Sequence, residues 1–203
     1  MKLGILGGTF DPIHVGHLLM AEVAWQALGL SRVLFVPAGD PPHKQEAEKM
    51  AAHHRRAMVA AAIADNPHFE LSLIDLERPG PHYSVDTVRL VRAKYDVAAD
   101  GCFFIIGGDS LVDLPKWYHT AELAQLCRLA VIHRPGYRPD LAWLENVIPG
   151  LSRRVNWVEM PVSGVSSSEI RARVGAGLSI RYQVAEPVRA YIEQHCLYQT
   201  SCG

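Results

Sequence analysis

No sign of charge predominates in this chain. Its 20 Lys and Arg stand against 21 Asp and Glu, a formal net charge of −1 over 203 residues. That balance excludes the basic field with which a protein gathers nucleic acid or an anionic membrane surface, so neither partner is expected and any anion must be held by local groups. Long apolar runs are missing too: none approaches the ~20 residues that cross a bilayer. The first such run, Leu3–Leu6, breaks into glycines too soon to read as a secretory leader. Cysteine is scarce, and Cys102, Cys127, Cys196 and Cys202 form no CxxC pair. With no His/Cys spacing that makes a zinc set, no resident metal is expected. Cys102 and Cys127 fall in or beside apolar runs and read as buried thiols, and no bridge between Cys196 and Cys202 is expected. The reading is a reducing, cytoplasmic compartment. There is no internal repeat and no low-complexity tract. There is also no GxGxxG, which argues against a dinucleotide-binding dehydrogenase.

What the chain does have is alternation. Short runs rich in Val, Ile, Leu and Phe lie at Leu3–Leu6, Val33–Val36, Phe69–Leu73, Cys102–Ile106, Leu129–Ile132 and Val155–Val158. Continuous apolar runs of this length suit strands buried on both faces. Amphipathic stretches fall between them, at His17–Leu28, Ala51–Ala64, Val85–Lys94, Ala121–Leu126, Ser167–Val174 and Pro187–His195. Strands alternating with helices predict a doubly wound, mainly parallel α/β sheet in a single domain spanning 1–203, with about 164–203 forming a small helical C-terminal lobe. The polar segment Ala38–Lys49, with Pro41-Pro42, reads as a loop.

The opening stretch LGILGGTFDPIHVGH, Leu3 to His17, carries the strongest local signal. Gly7-Gly8 follow the first strand, where backbone can approach a ligand closely, and Gly16-His17 open the next helix. In an open parallel sheet ligands bind beyond the carboxyl ends of the strands, where helix amino termini present free N–H groups. Two imidazoles, His14 and His17, beside such an end make a cradle for a phosphate that gains charge. The plainer alternative is a capping histidine beside a packed one.

Other segments admit two readings each. In VSSSEIR, Ser166 and Glu169 have capping-box spacing, which alone accounts for the serines and the glutamate but not for Arg171. Lys44 in the PPHK segment is either solvated or a phosphate bridge on the same rim. Asp109, after Gly107-Gly108, either caps a helix or accepts from ribose hydroxyls. Trp117 is either a half-buried packing residue or a flat stacking face.

These residues occur together in an order that resembles the HxGH nucleotidyltransferases, with His14-Val15-Gly16-His17 as the motif, and within them the bacterial nicotinate-mononucleotide adenylyltransferases. GGTFDPIHVGH, VPAGDPPHK (Val36–Lys44), ERPGPHYSVDT (Glu77–Thr87), IIGGDSLVDLPKWY (Ile105–Tyr118), HRPGY (His133–Tyr137) and VSSSEIR (Val165–Arg171) carry the resemblance over nearly the whole chain. His82-Tyr83-Ser84 departs from the family's usual Ser-Tyr-Thr, and Ser168 stands where Thr is common. The resemblance implies adenylyl transfer from ATP, with Mg²⁺, to nicotinate mononucleotide, with release of pyrophosphate. It implies catalytic roles for His14, His17, Lys44 and Arg171. ATP would meet Gly7, Gly8, Thr9, Phe10, His14, His17, Gly107, Asp109, Ser166, Ser167 and Arg171. The mononucleotide would meet His43, Lys44, Tyr83, Ser84, Thr87, Trp117, Tyr118 and Arg134. The rivals are a sibling phosphopantetheine adenylyltransferase or cytidylyltransferase, and a non-catalytic nucleotide sensor. Sequence leaves open whether the chain is a monomer or a homo-oligomer.

Overall fold

The computed structural model describes residues 1–39, 50–133, 140–161 and 163–199. Six strands form one sheet: β1 (Leu3–Gly8), β2 (Arg32–Pro37), β3 (Phe69–Leu71), β4 (Cys102–Gly107), β5 (Arg128–His133) and β6 (Val155–Glu159). The order across the sheet is β3-β2-β1-β4-β5-β6, and every neighbouring pair is parallel. The order in which strands are added therefore runs one way from β1 to β3 and the other way from β4 to β6, which makes β1–β4 the switch point where doubly wound sheets bind ligands.

The helices are α1 (Val15–Leu28), α2 (Ala52–Ile63), α3 (Ser84–Tyr95), α4 (Gly108–Asp113), α5 (Thr120–Leu126), α6 (Leu141–Val147), α7 (Ser167–Gly175) and α8 (Glu186–Gln194). Strand alternation assigns each side chain to one face. Leu6, Val33, Phe35, Phe103, Ile105, Ala130 and Ile132 pack with α1, α2, α7 and α8. Their sequence neighbours Leu3, Ile5, Leu34, Val36, Phe104, Ile106, Leu129 and Val131 pack with α3, α4, α5 and α6. Ile170 of α7 and Val188 and Ile192 of α8 join the same apolar cluster as the sheet.

Cys102 and Cys127 are free and buried, as their apolar runs predict. Cys196 is disulfide-bonded, contrary to the expectation that no C-terminal bridge forms. Low overall cysteine content sets a compartment prior but says nothing about which ends meet. No described helix is long and apolar enough to cross a membrane.

Candidate active site

A cleft of about 710 Å³ opens at the switch point. On one side it is walled by the end of β1 (Gly7, Gly8), which the glycines finish rather than follow, by Thr9 and Phe10 after it, and by His17. The end of β4 contributes Gly107 and the start of α4 contributes Asp109. Its far side is aromatic, with Tyr83, Trp117 and Tyr118, together with Ser84, Thr87 and His82.

The turn that carries the histidines is tightly specified. Phe10 sits in the left-handed region at φ 50, a conformation that a bulky residue holds only when its surroundings insist. Its ring is buried, and a Cβ at Gly8 would stand 3.1 Å from it. The same ring meets His17 edge-on at 5.0 Å. From the other side the His14 backbone N–H donates to His17 Nδ1 at 3.2 Å. With Nδ1 accepting, the neutral imidazole carries its proton on Nε2, which becomes the donor. The His14 ring stacks on that of His17 at 3.7 Å. A Cβ at position 16 would stand 3.0 Å from the His14 ring, so the glycine of the motif makes room for this stack.

The two histidines are therefore not equivalent. His17 lines the cleft, whereas His14 lies behind it, 8% exposed. Burial pushes the His14 imidazole down to about 4, so at neutral pH it supplies packing and orientation without charge. The helix end is also less open than expected, because the Val15 N–H is committed to the Gln183 carbonyl at 2.9 Å.

His14 gives a pH prediction with a definite sign. Above pH 6.5 neither the folded nor the unfolded chain binds this proton. Between 6.5 and about 4 the unfolded chain binds it and the folded chain does not. Stability should fall across that window by on the order of 3 kcal/mol and gain no further slope from His14 below it. Urea unfolding at pH 7.5 and 4.5 checks this: His14→Asn should lose clearly less stability on acidification than the wild type. Equal losses would contradict it.

Sequence reasoning missed the group that holds the turn in place. Arg55 of α2 is 2% exposed and donates to the Thr9 and Ala38 carbonyls at 2.8 Å, to the Met50 carbonyl at 3.0 Å, and to Gly39 at 3.4 Å. One guanidinium thus ties the opening turn to the backbone on both flanks of residues 40–49. A readable signal existed: Arg55 shares a helical stripe with buried Met58, Val59 and Ala62, where a charge needs a reason. Buried Asp11 is the second missed residue. Its carboxylate accepts from the Met50 N–H at 3.3 Å and from the Tyr198 hydroxyl at 2.6 Å.

The β6–α7 connection packs on the same turn. Ser166 caps α7 by accepting from the Glu169 N–H, and Ser167 Oγ donates to the Pro12 carbonyl at 2.9 Å. Arg171 donates to the Asp11 carbonyl at 2.6 Å. Ser167 lines the cleft, while exposed Ser166 and half-buried Arg171 lie outside its lining. On the opposite lip Asp109 caps nothing, and a Cβ at Gly107 would meet no atom within 4 Å, leaving both open toward a ligand.

On the aromatic side Tyr83 and Tyr118 stack at 4.1 Å, and Trp117 stands edge-on to Phe104 at 6.2 Å. Ser84 is the first residue of α3, so its backbone belongs to a helix start. Two polar groups on this side are already committed within the fold. The Trp117 N–H donates to the Leu114 carbonyl. The Thr87 hydroxyl donates to Asp75, which also pairs with Arg78 at 2.9 Å. Thr87 therefore braces the wall of the cleft. His43, Lys44 and Arg134 lie outside the described residues. Among the described residues no three His, Cys, Asp or Glu side chains stand together as a metal site.

The comparisons agree with this geometry. The cytidylyltransferase-like family matches residues 5–173. A probable nicotinate-nucleotide adenylyltransferase of Thermomicrobium roseum is 47% identical over 98% of this chain and 92% of its own. One from Exiguobacterium sibiricum is 46% identical over 98% of this chain and the whole of its own. Among solved structures, the Plasmodium falciparum nicotinic acid mononucleotide adenylyltransferase complexed with NaAD shares the fold at TM-score 0.77, with 20% identity and 97% of each chain covered. A glycine turn, a stacked histidine pair at the switch point and full-length likeness of this degree lead to one family: the chain belongs to the cytidylyltransferase-like proteins, and among them to the nicotinate-nucleotide adenylyltransferases.

Proposed function

We propose that this chain transfers the adenylyl group of ATP to the 5′-phosphate of nicotinate mononucleotide, giving nicotinate adenine dinucleotide and pyrophosphate in the cytoplasmic synthesis of NAD. The carrying observation is that one cleft joins the His17 turn to an aromatic wall of Tyr83, Trp117 and Tyr118. A phosphate chemistry and a ring-binding surface thus share one cavity.

The attacking phosphate is already an anion at neutral pH, so the reaction needs no general base. It needs two anions aligned and the charge growing on the α-phosphate neutralised. His17 supplies a donor, Nε2–H, whose direction is fixed from behind by the His14 N–H. Asp109 is assigned to the ribose hydroxyls, and Lys44 and Arg171 to the departing phosphates. Mg²⁺ arrives on ATP and spreads the charge of the leaving pyrophosphate.

Trp117 is assigned to stacking on the pyridine ring. Trp117→Ala should raise KM for the mononucleotide by about tenfold, within the ~1–3 kcal/mol of comparable base–aromatic stacking, and leave KM for ATP nearly unchanged. A rise in KM for ATP alone would misplace the ring.

The start of α3 at Ser84 favours a carboxylate over a carboxamide, because helix-start N–H groups are donors and an amide sets donor against donor. The function is tested by kcat/KM for ATP with nicotinate mononucleotide, nicotinamide mononucleotide and phosphopantetheine. The acid should lead the amide by at least about tenfold, and phosphopantetheine should give no product. A ratio near one, or turnover of phosphopantetheine instead, would overturn the assignment.

A further inference from the structure

Asp11 lies between the two residues that fix His17. Phe10, directly before it, sets its ring edge on the imidazole at 5.0 Å, and His14, three residues after it, donates its N–H to His17 Nδ1. Whatever anchors Asp11 therefore anchors both flanks of that ring. The α7 contact reaches only the Asp11 main chain. The side chain accepts from the Met50 N–H at 3.3 Å through one oxygen and, through the other, from the far end of the sequence, the Tyr198 hydroxyl at 2.6 Å.

Tyr198 is built for this contact. Leu197 before it is buried in the main apolar cluster. Tyr198 itself takes a left-handed backbone conformation at φ 64, a strained choice for a bulky residue that persists only under external constraint. Burial and the Asp11 carboxylate push the phenol well above its ordinary range, so it remains a donor at every physiological pH. A hydroxyl donating to a carboxylate is among the stronger kinds of hydrogen bond.

We propose that Tyr198 is a positioning residue for the reaction, holding His17 in its catalytic orientation through Asp11. The proposal rests on the adenylyl-transfer reading for its kinetic consequence, but not for its geometric one. Tyr198 touches no substrate. It fixes the turn from which the donor is presented, and a small misplacement of a transition-state donor costs rate and leaves ground-state binding intact.

Tyr198→Phe removes the hydroxyl and keeps the ring. The control is Tyr191→Phe in α8, whose hydroxyl sits 3.0 Å from His54 Nδ1, away from the turn. Both are assayed well below their melting temperatures. Tyr198→Phe should lower kcat about tenfold with both KM values within about twofold, while Tyr191→Phe keeps wild-type kcat. Independently of turnover, the ¹⁵N spectrum of the His17 ring should change from a single Nε2–H tautomer in the wild type to a mixture in Tyr198→Phe. Wild-type kcat in Tyr198→Phe, or an unchanged His17 ring spectrum, overturns the proposal. If the wild type makes no dinucleotide, the adenylyl-transfer reading fails by itself, and the ring spectrum decides the role of Tyr198.

Discussion

His17→Ala is expected to lower kcat by about 10²–10³ while leaving KM for ATP within a few-fold, the usual cost of removing one donor aimed at developing charge. The split follows from placement. His17 lines the cleft, where the proposed reaction builds charge on the α-phosphate, and the other residues proposed to meet ATP lie on other elements. His14→Ala should behave differently. His14 is buried and stacked behind His17 at 3.7 Å, so its removal costs stability as well as rate. A His17→Ala enzyme retaining more than about a third of wild-type kcat would mean that the imidazole faces something other than the reacting phosphate.

The second large effect is on folding. Arg55→Met should destabilise the protein by about 3–5 kcal/mol, the range seen when a buried charged partner is removed and polar groups are stranded. The methionine matches much of the volume but offers no donor to the carbonyls of Thr9, Ala38 and Met50. Arg55→Lys should recover only part of the loss, since a single ammonium cannot span the carbonyls that a planar guanidinium reaches. Urea unfolding at pH 7.5 measures both, and a loss below about 1 kcal/mol for Arg55→Met would show that water satisfies those carbonyls.

The central strands β1, β2, β4 and β5 were readable as buried apolar runs, which is what burial on both faces requires, and they extend the expected runs by one or two residues. The edge strands are less apolar: β6 contains Asn156, and β3, Phe-Glu-Leu, is only half-buried and stops two residues short of Leu73. Two helices differ from the expected ones for local reasons. Helix α1 begins at Val15 and not His17, because His14 itself takes the cap position. Helix α6 was not expected: Asp140 caps it by accepting from the Ala142 N–H, and buried Leu144 packs it on the sheet. Helix α4 was foreseen only as a helix that Asp109 could cap, and it forms over Gly108–Asp113 with Leu111 buried. The cleft was legible from Gly7-Gly8 and Gly107-Gly108, which end adjacent strands. The support beneath it was not. Arg55, Asp11 and Tyr198 act through contacts 46 and 187 positions apart along the chain, and no local spacing carries that information. Thr87, which the resemblance sets against the mononucleotide, lines the cleft, and its hydroxyl is held there by Asp75, a contact 12 positions away that no local spacing announces.

One measurement tests the whole account: a crystal structure of the protein with nicotinate adenine dinucleotide bound. The account predicts the adenylyl phosphate within ~3 Å of His17 Nε2, the nicotinate ring stacked on Trp117, and its carboxylate at the start of α3 beside Ser84. A dinucleotide lying outside the β1–β4 cleft, or one with its phosphates away from His17, would contradict it.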